Sequence, residues 1–458
     1  MLHRSTLREM ASLASSGKVT PGEIVRDHLD QIERANPSIN AFVSVLGERA
    51  LAQAAAAPRG PLYGVPVSIK DSFDLEDHPT LCGSRFRRGH KAARSATAVA
   101  RLERAGAIVI GKTNTPEFLA NYESDNRIIG RTNNPWNLER TSGGSSGGES
   151  AAIAAFCSAG GIGSDGGGSI RWPAHCTGIC GLKPTPGRIP ATGHFPLIHH
   201  PGGLLGVAGP MARNIADLRL LFEVLAGYDW SDPFSAPVPL TRSHGADVRV
   251  GVWESFYDVP VQPAVREAVR HAAGRLRSIG VETADFQPRG LERAPNLWSF
   301  FFSELTVPFM RELLEGREAE SHWTSTEFYD RLKANPDPTG KQVVENLAAR
   351  DAMRAHLLDQ MRDTPVILTP AAGVTAFPHR QRKFETGSKA IGLFQAMMPL
   401  TWVNLLGLPA LVLPFTLDGE GLPVGVQLVG RPWEEDTLLD VAARLELIRD
   451  ALPAPPVP

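Results

Sequence analysis

Cysteine is scarce. Four residues, Cys82, Cys157, Cys176 and Cys180, in a chain of 458 are too few for a disulfide scaffold. Cys176 and Cys180 share the segment HCTGIC, which lacks the second ligand pair a zinc site needs. These two read as small buried residues. Charge of one sign is also missing: Lys+Arg 47 against Asp+Glu 49 gives a net charge of -2. That balance argues against a nucleic-acid partner and against a polybasic membrane anchor. No run of about 18 apolar residues occurs, so no membrane-spanning helix is expected. The N-terminal MLHRSTLREMASLASSG carries charges through any would-be apolar region, which points to a cytoplasmic protein without a targeting segment. The 13 His are scattered without an HExxH motif, and His199-His200 before Pro201 reads as loop. A metal site is not expected, and neither is a Ser-His-Asp triad, because no His has a compelling context. Lysine is rare, 9 residues against 38 Arg, so each Lys merits separate attention.

What is present is an ordinary globular balance, 42% hydrophobic and 21% charged. Thr20-Pro21-Gly22-Glu23 opens a helix with a capping box, and Asn36-Pro37 is its expected exit. Residues 62–73 alternate through Val65, Val67 and Ile69 as a strand. A helix over 96–105 precedes a buried strand from Ala107 to Ile110, and helix followed by β-branched residues recurs at 262–286. Residues 436–450 are again helical. This order predicts an α/β fold, a mixed central sheet covered by helices on both faces. The Pro-rich stretch 232–240 reads as a long connection and ALPAPPVP as a frayed tail.

Two nucleotide motifs match in letters only. Gly106 to Thr113 fits GxxxxGK[ST], but its middle residues are the strand itself and a turn follows Lys112. Gly161 to Gly166 fits GxGxxG, but an Ala-rich helical stretch precedes it and more Gly follows.

Three features fit one chemistry. Lys70 ends the alternating strand. It either reaches solvent or, held in apolar surroundings, becomes a neutral amine able to act as a base. Gly143-Gly144-Ser145-Ser146-Gly147-Gly148 is either a flexible tract or a shaped turn that presents hydroxyls to a cleft. Asp165-Gly166-Gly167-Gly168-Ser169 is either a tight loop with an ordinary Ser or a hydroxyl stripped of neighbouring side chains beside converging N–H groups.

The set resembles the amidase signature family of serine hydrolases. The resemblance runs through most of the chain: NPSINAFVSV (36–45), GVPVSIKDSF (64–73), residues 96–118, NNPWNLERTSGGSSGGESAAIAA (133–155), GSDGGGSIRWPAHCTGICGLKPTPGR (163–188), GPMARNIADL (209–218), NLLGLPALVLP (404–414) and GLPVGVQLVGRP (421–432). It implies a single amidase domain over 1–458, with a variable segment at about 230–390 forming much of the substrate side. It implies a Ser–Ser–Lys triad in which Ser169 is the nucleophile, Ser145 the bridging serine behind a cis peptide bond, and Lys70 the base. Gly166, Gly167, Gly168 and Ser169 would supply oxyanion N–H groups. Asp165, Arg171 and Ser146 would brace the loops. No cofactor is implied.

The implied reaction is hydrolysis of a carboxylic acid amide to acid plus ammonia or amine, with ester hydrolysis as a side activity. The substrate is a small-molecule amide, and a homodimer is compatible with relatives that dimerise. HCTGICGLKPT and residues 121–126 resemble the fatty-acid-amide and general amidase branches more than the glutamine-hydrolysing subunit of a tRNA-dependent amidotransferase, which is the alternative. Leu119, Asn121, Tyr122 and Trp172 are candidate substrate contacts. The aromatic stretch 296–310, with Phe394, Met397, Met398 and Trp402, either lines an acyl channel or is plain core. The first reading favours a hydrophobic or aryl amide.

Overall fold

A computed structural model describes residues 1–198, 204–240 and 248–457. His199 and His200, read above as loop, lie outside the described residues. The strands of the large sheet are β1 (Phe42–Val45), β2 (Pro66–Lys70), β3 (Ile108–Thr113), β4 (Gly160–Asp165), β5 (Cys180–Lys183), β6 (Val207–Ala212), β7 (Val250–Val252), β8 (Thr283–Asp285), β9 (Val366–Pro370), β10 (Ala410–Leu417) and β11 (Pro423–Gly430). They join in the order β1-β3-β2-β4-β6-β5-β10-β11-β9-β7-β8. The β3-β2-β4 and β9-β7-β8 groups run parallel internally, while the remaining pairings are antiparallel, so the sheet is mixed.

Side chains alternate across the pleat and fill two sides. Val67, Ile69, Val109, Leu411, Leu413, Val424 and Val426 enter one continuous cluster. Ile108 and Ile110, Ile367 and Val429, and Val412 enter three separate clusters opposite. Helices α1 (Pro21–Ile39), α2 (Thr97–Arg104), α3 (Gly147–Ala154), α4 (Arg171–Thr177), α5 (Ala294–Phe302), α7 (Leu393–Leu405) and α8 (Glu435–Ile448) pack with the sheet's clusters, whereas α6 (Trp323–Leu332) packs away from it, its Tyr329 clustering with Phe118, Val307 and Leu314. Among the described residues no helix is long and apolar enough to cross a membrane.

The capping box at Thr20 and Glu23 forms, but α1 does not leave at Asn36-Pro37. It continues to Ile39 and ends at Asn40, whose backbone is left-handed (φ 50). Asn36 serves this end by accepting the N–H groups of Ala41 (2.8 Å) and Phe42 (3.2 Å). The strand expected over 62–73 is shorter, because turns occupy both flanks of Pro66–Lys70. The C-terminal tail is not wholly frayed, since Val457 packs against the cluster that holds Leu29 and Leu51. All four cysteines are buried and unpaired.

Candidate active site

Lys70 is the last residue of β2, and Val67 and Ile69 commit the strand to the main core. Alternation therefore turns Ser68 and Lys70 to the opposite side, where α3 packs. Lys70 has no exposed surface. Its Nζ donates to Ser145 Oγ at 2.7 Å, to Ser164 Oγ at 3.0 Å and to Ser164 O at 3.4 Å. Burial lowers its pKa to about 7, with Asp165 and Glu149 pulling the other way. Lys112 and Lys183 are also buried. Lys112 is paired with Asp71 at 2.9 Å, and Lys183 donates to Pro184 O at 3.0 Å. Lys183 is lowered to about 7 as well, again by burial. Lys70 is set apart by its serine partners, not by its acidity.

Ser145 follows a cis Gly144–Ser145 peptide bond and is 1% exposed. A Cβ on Gly144 would stand 2.7 Å from Glu123 N and from Tyr122 C, so the backbone of 121–123 fits only glycine there. Ser124 Oγ accepts from Gly147 N–H at 3.0 Å and donates to Gly143 O at 3.1 Å, closing the turn from below. Ser146 Oγ donates to Ser164 O at 3.3 Å, and Ser146 N–H donates to Ser169 O at 3.2 Å. Ser146 thus ties the Ser145 turn to β4 and to the Ser169 loop. Ser169 is half-buried, and among the described residues its hydroxyl has no intramolecular hydrogen bond.

The loop 165–169 leaves the C-terminal end of β4, beside the end of its parallel neighbour β2. Asp165 holds it. Its Oδ1 accepts from Gly168 N–H at 2.8 Å, Arg171 Nη2 at 3.0 Å and Asn404 Nδ2 at 2.9 Å. Its Oδ2 accepts from Ile170 N–H at 3.1 Å and Arg171 Nε at 3.0 Å. Burial alone would raise the Asp165 pKa, but the Arg171 guanidinium and the donors around it hold the carboxyl well below the usual range. Arg171 is itself fully buried and donates to Gln427 Oε1 at 2.7 Å and to Leu400 O at 3.1 Å.

This arrangement corrects one sequence expectation. Gly168 cannot offer its N–H to a substrate oxygen, because Asp165 takes it. Its contribution is conformational, with φ at +115 and Leu400 Cδ1 only 2.6 Å from where a Cβ would stand. Among the described residues, the amides of Gly167 and Ser169 meet no acceptor in the chain.

The candidate substrate contacts separate into wall and core. Tyr122 OH donates to Gly167 O at 3.0 Å. Leu119 is partly exposed and left-handed (φ 61). Asn121 is engaged with α6, through Thr324 O at 3.3 Å and Glu327 Oε2 at 3.1 Å. Trp172 is no surface contact. It is fully buried, stacks on Phe377 and His175, and donates Nε1–H to Tyr122 O at 3.0 Å. Met397 and Trp402 are likewise core. Trp298 and Phe302 of α5 stack at 4.6 Å beside the glycine loop, and Phe394 and Phe328 lie 6.4 Å beyond.

Sequence reasoning missed Ser164, Glu149, Asn404 and Gln427. Glu149 is buried and accepts from Ser68 Oγ and Thr113 Oγ1, both at 2.6 Å, and burial pushes its carboxyl up to about 7. Asn404 and Gln427 did leave a signal: each is a lone polar residue in an otherwise apolar run, NLLGLP and PVGVQLVG. Among the described residues, no cluster of His, Cys, Asp and Glu is placed to hold a metal ion.

The amidase family model matches residues 23–439, so the chain belongs to the amidase signature family and is a hydrolase acting on amides. It is 35% identical to an indoleacetamide hydrolase of Bradyrhizobium diazoefficiens, over 96% of this chain and 85% of that protein. It is 33% identical to a glutamyl-tRNA(Gln) amidotransferase subunit of Roseiflexus sp., over 98% of this chain and 97% of the other. Among solved structures it resembles 6-aminohexanoate cyclic dimer hydrolase complexed with substrate, with a TM-score of 0.89 and 28% identity over 100% of this chain and 99% of the other.

Proposed function

We propose that the protein hydrolyses a hydrophobic or aryl amide through an acyl-enzyme on Ser169, with Ser145 and Lys70 as the proton relay. The observation that carries this reading is a buried amine, lowered to about 7, held 2.7 Å from Ser145 Oγ beside the Ser169 loop. In the neutral form, Lys70 Nζ accepts the Ser145 proton, and Ser145 Oγ accepts that of Ser169. Ser169 Oγ then attacks the amide carbonyl. The amides of Gly167 and Ser169 face the developing oxyanion. The proton returns through Ser145 to the leaving amine, and water releases the acid. Asp165 and Arg171 fix the loop and do not react.

The aromatic wall of Phe302, Phe328 and Phe394 supports an apolar acyl group, and the indoleacetamide hydrolase relative agrees with it. In this reading residues 1–458 act as one amidase domain, and the segment at about 230–390 forms much of the substrate side. A fluorophosphonate probe is expected to label the wild type at Ser169 and to leave Ser169→Ala unlabelled. A panel of indole-3-acetamide, phenylacetamide, acetamide and glutamine is expected to rank the aryl amides first. Best turnover of acetamide would refute the apolar preference. Best turnover of glutamine would favour the amidotransferase reading, which the Roseiflexus relative supports.

A further inference from the structure

Three donors reach the carbonyls of the glycine turn. Trp298 Nε1–H donates to Gly166 O at 2.9 Å, Tyr122 OH to Gly167 O at 3.0 Å, and Trp172 N–H to Gly168 O at 2.7 Å. In a trans peptide the C=O and N–H of one plane point in opposite directions. Each bond therefore also sets the direction of the amide that follows.

The three planes differ in what holds them. The Gly167–Gly168 plane is held at both ends, by Tyr122 and by Asp165. The Gly168–Ser169 plane is anchored by main chain, which no side-chain substitution removes. The Gly166–Gly167 plane is anchored at its carbonyl by Trp298, and its N–H has no acceptor among the described residues.

We infer that Trp298 is a positioning residue whose indole N–H aims the Gly167 amide at the acyl oxygen of the substrate. This rests on the Ser169 acyl-enzyme reading. The surroundings are fitted to it. A Cβ on Gly167 would stand 2.4 Å from Trp298 Cζ2, and one on Gly166 would stand 3.0 Å from Phe302 Cε2. The two rings stack with planes 15° apart, so the turn cannot move toward α5 without displacing both. Trp298 is only 4% exposed, so its main action is on the loop and not on the substrate.

Trp298→Phe keeps the stacked ring and removes the donor. With the fluorophosphonate probe, which needs no knowledge of the natural acyl group, the maximal labelling rate is expected to fall about tenfold. The probe concentration for half-maximal rate should stay within twofold. The expected loss is smaller than the roughly 100- to 1000-fold that follows outright removal of an oxyanion donor, because the amide itself remains. Trp298→His, which restores a ring N–H, is expected to recover part of the rate.

Labelling of Trp298→Phe within twofold of wild type would overturn the inference. So would a change confined to the half-maximal concentration, which would mark a wall contact. Equal losses in Trp298→Phe and Trp298→His would assign the effect to packing and overturn it too. A wild type that does not label would instead remove the acyl-enzyme reading itself.

Discussion

Lys70 Nζ and Ser145 Oγ lie 2.7 Å apart with almost no exposed surface on either side chain. The pair is dry, and dryness brings the lysine to about 7. The base works only when neutral. Fluorophosphonate labelling and kcat/KM are therefore expected to rise with pH along a limb centred near 7. Lys70→Met should lower kcat/KM by roughly 100- to 10,000-fold and abolish the limb. A profile flat from pH 5.5 to 8.5 would exclude Lys70 as the base.

The same lysine costs stability. Its folded pKa is about 7 and its unfolded one near 10.4, so the unfolded chain binds the extra proton. The penalty is full below pH 7 and vanishes above about pH 10.5. Lys70→Met is expected to be the more stable protein at pH 6, by about 2–4 kcal/mol once the lost hydrogen bonds are set against the gain. Urea denaturation at pH 6 and pH 10 should show that advantage shrink. An advantage independent of pH would contradict the assignment.

Arg171→Met should behave oppositely. It leaves the Asp165 carboxylate buried without its main partner, which costs about 3–5 kcal/mol. Asp165 is held below the usual range, so its contribution is present above about pH 4 and lost as pH falls further. Denaturant titrations should show Asp165→Asn with a flatter acid limb than wild type.

Gly168→Ala tests the conformational role of that residue. It places a Cβ at φ +115 and 2.6 Å from Leu400. A loss of about 1–3 kcal/mol is expected, together with slower labelling of Ser169. Unchanged labelling would show that the loop tolerates the shift.

The sequence made Lys70, Ser145 and Ser169 visible because dense glycine and a lysine on an apolar strand stand out locally. It also showed the alternation that makes β2, since Val65, Val67 and Ile69 repeat every second residue. It did not show that Gly168 spends its N–H on Asp165, because that depends on how the loop closes on itself. Nor did it show Asn404 and Gln427 converging on Asp165 and Arg171 from more than 200 residues away. Trp172 misled for a related reason: three residues from Ser169 in the chain, it turns into the core on α4. Pro37 misled because Asn36 and Asn40 supply a helix end beyond it.

The bond from Trp298 to Gly166 bears on engineering. The proposed relay residues all fall between 70 and 169, whereas the aromatic wall comes from 294 onward. A designer wishing to change the accepted amide would graft the later segment from a relative and leave the earlier one alone. Such a chimera would exchange the pocket and, with it, the indole that steadies the turn. Grafts that keep a donor at position 298 should retain turnover, and those that drop it should bind a new substrate yet process it slowly.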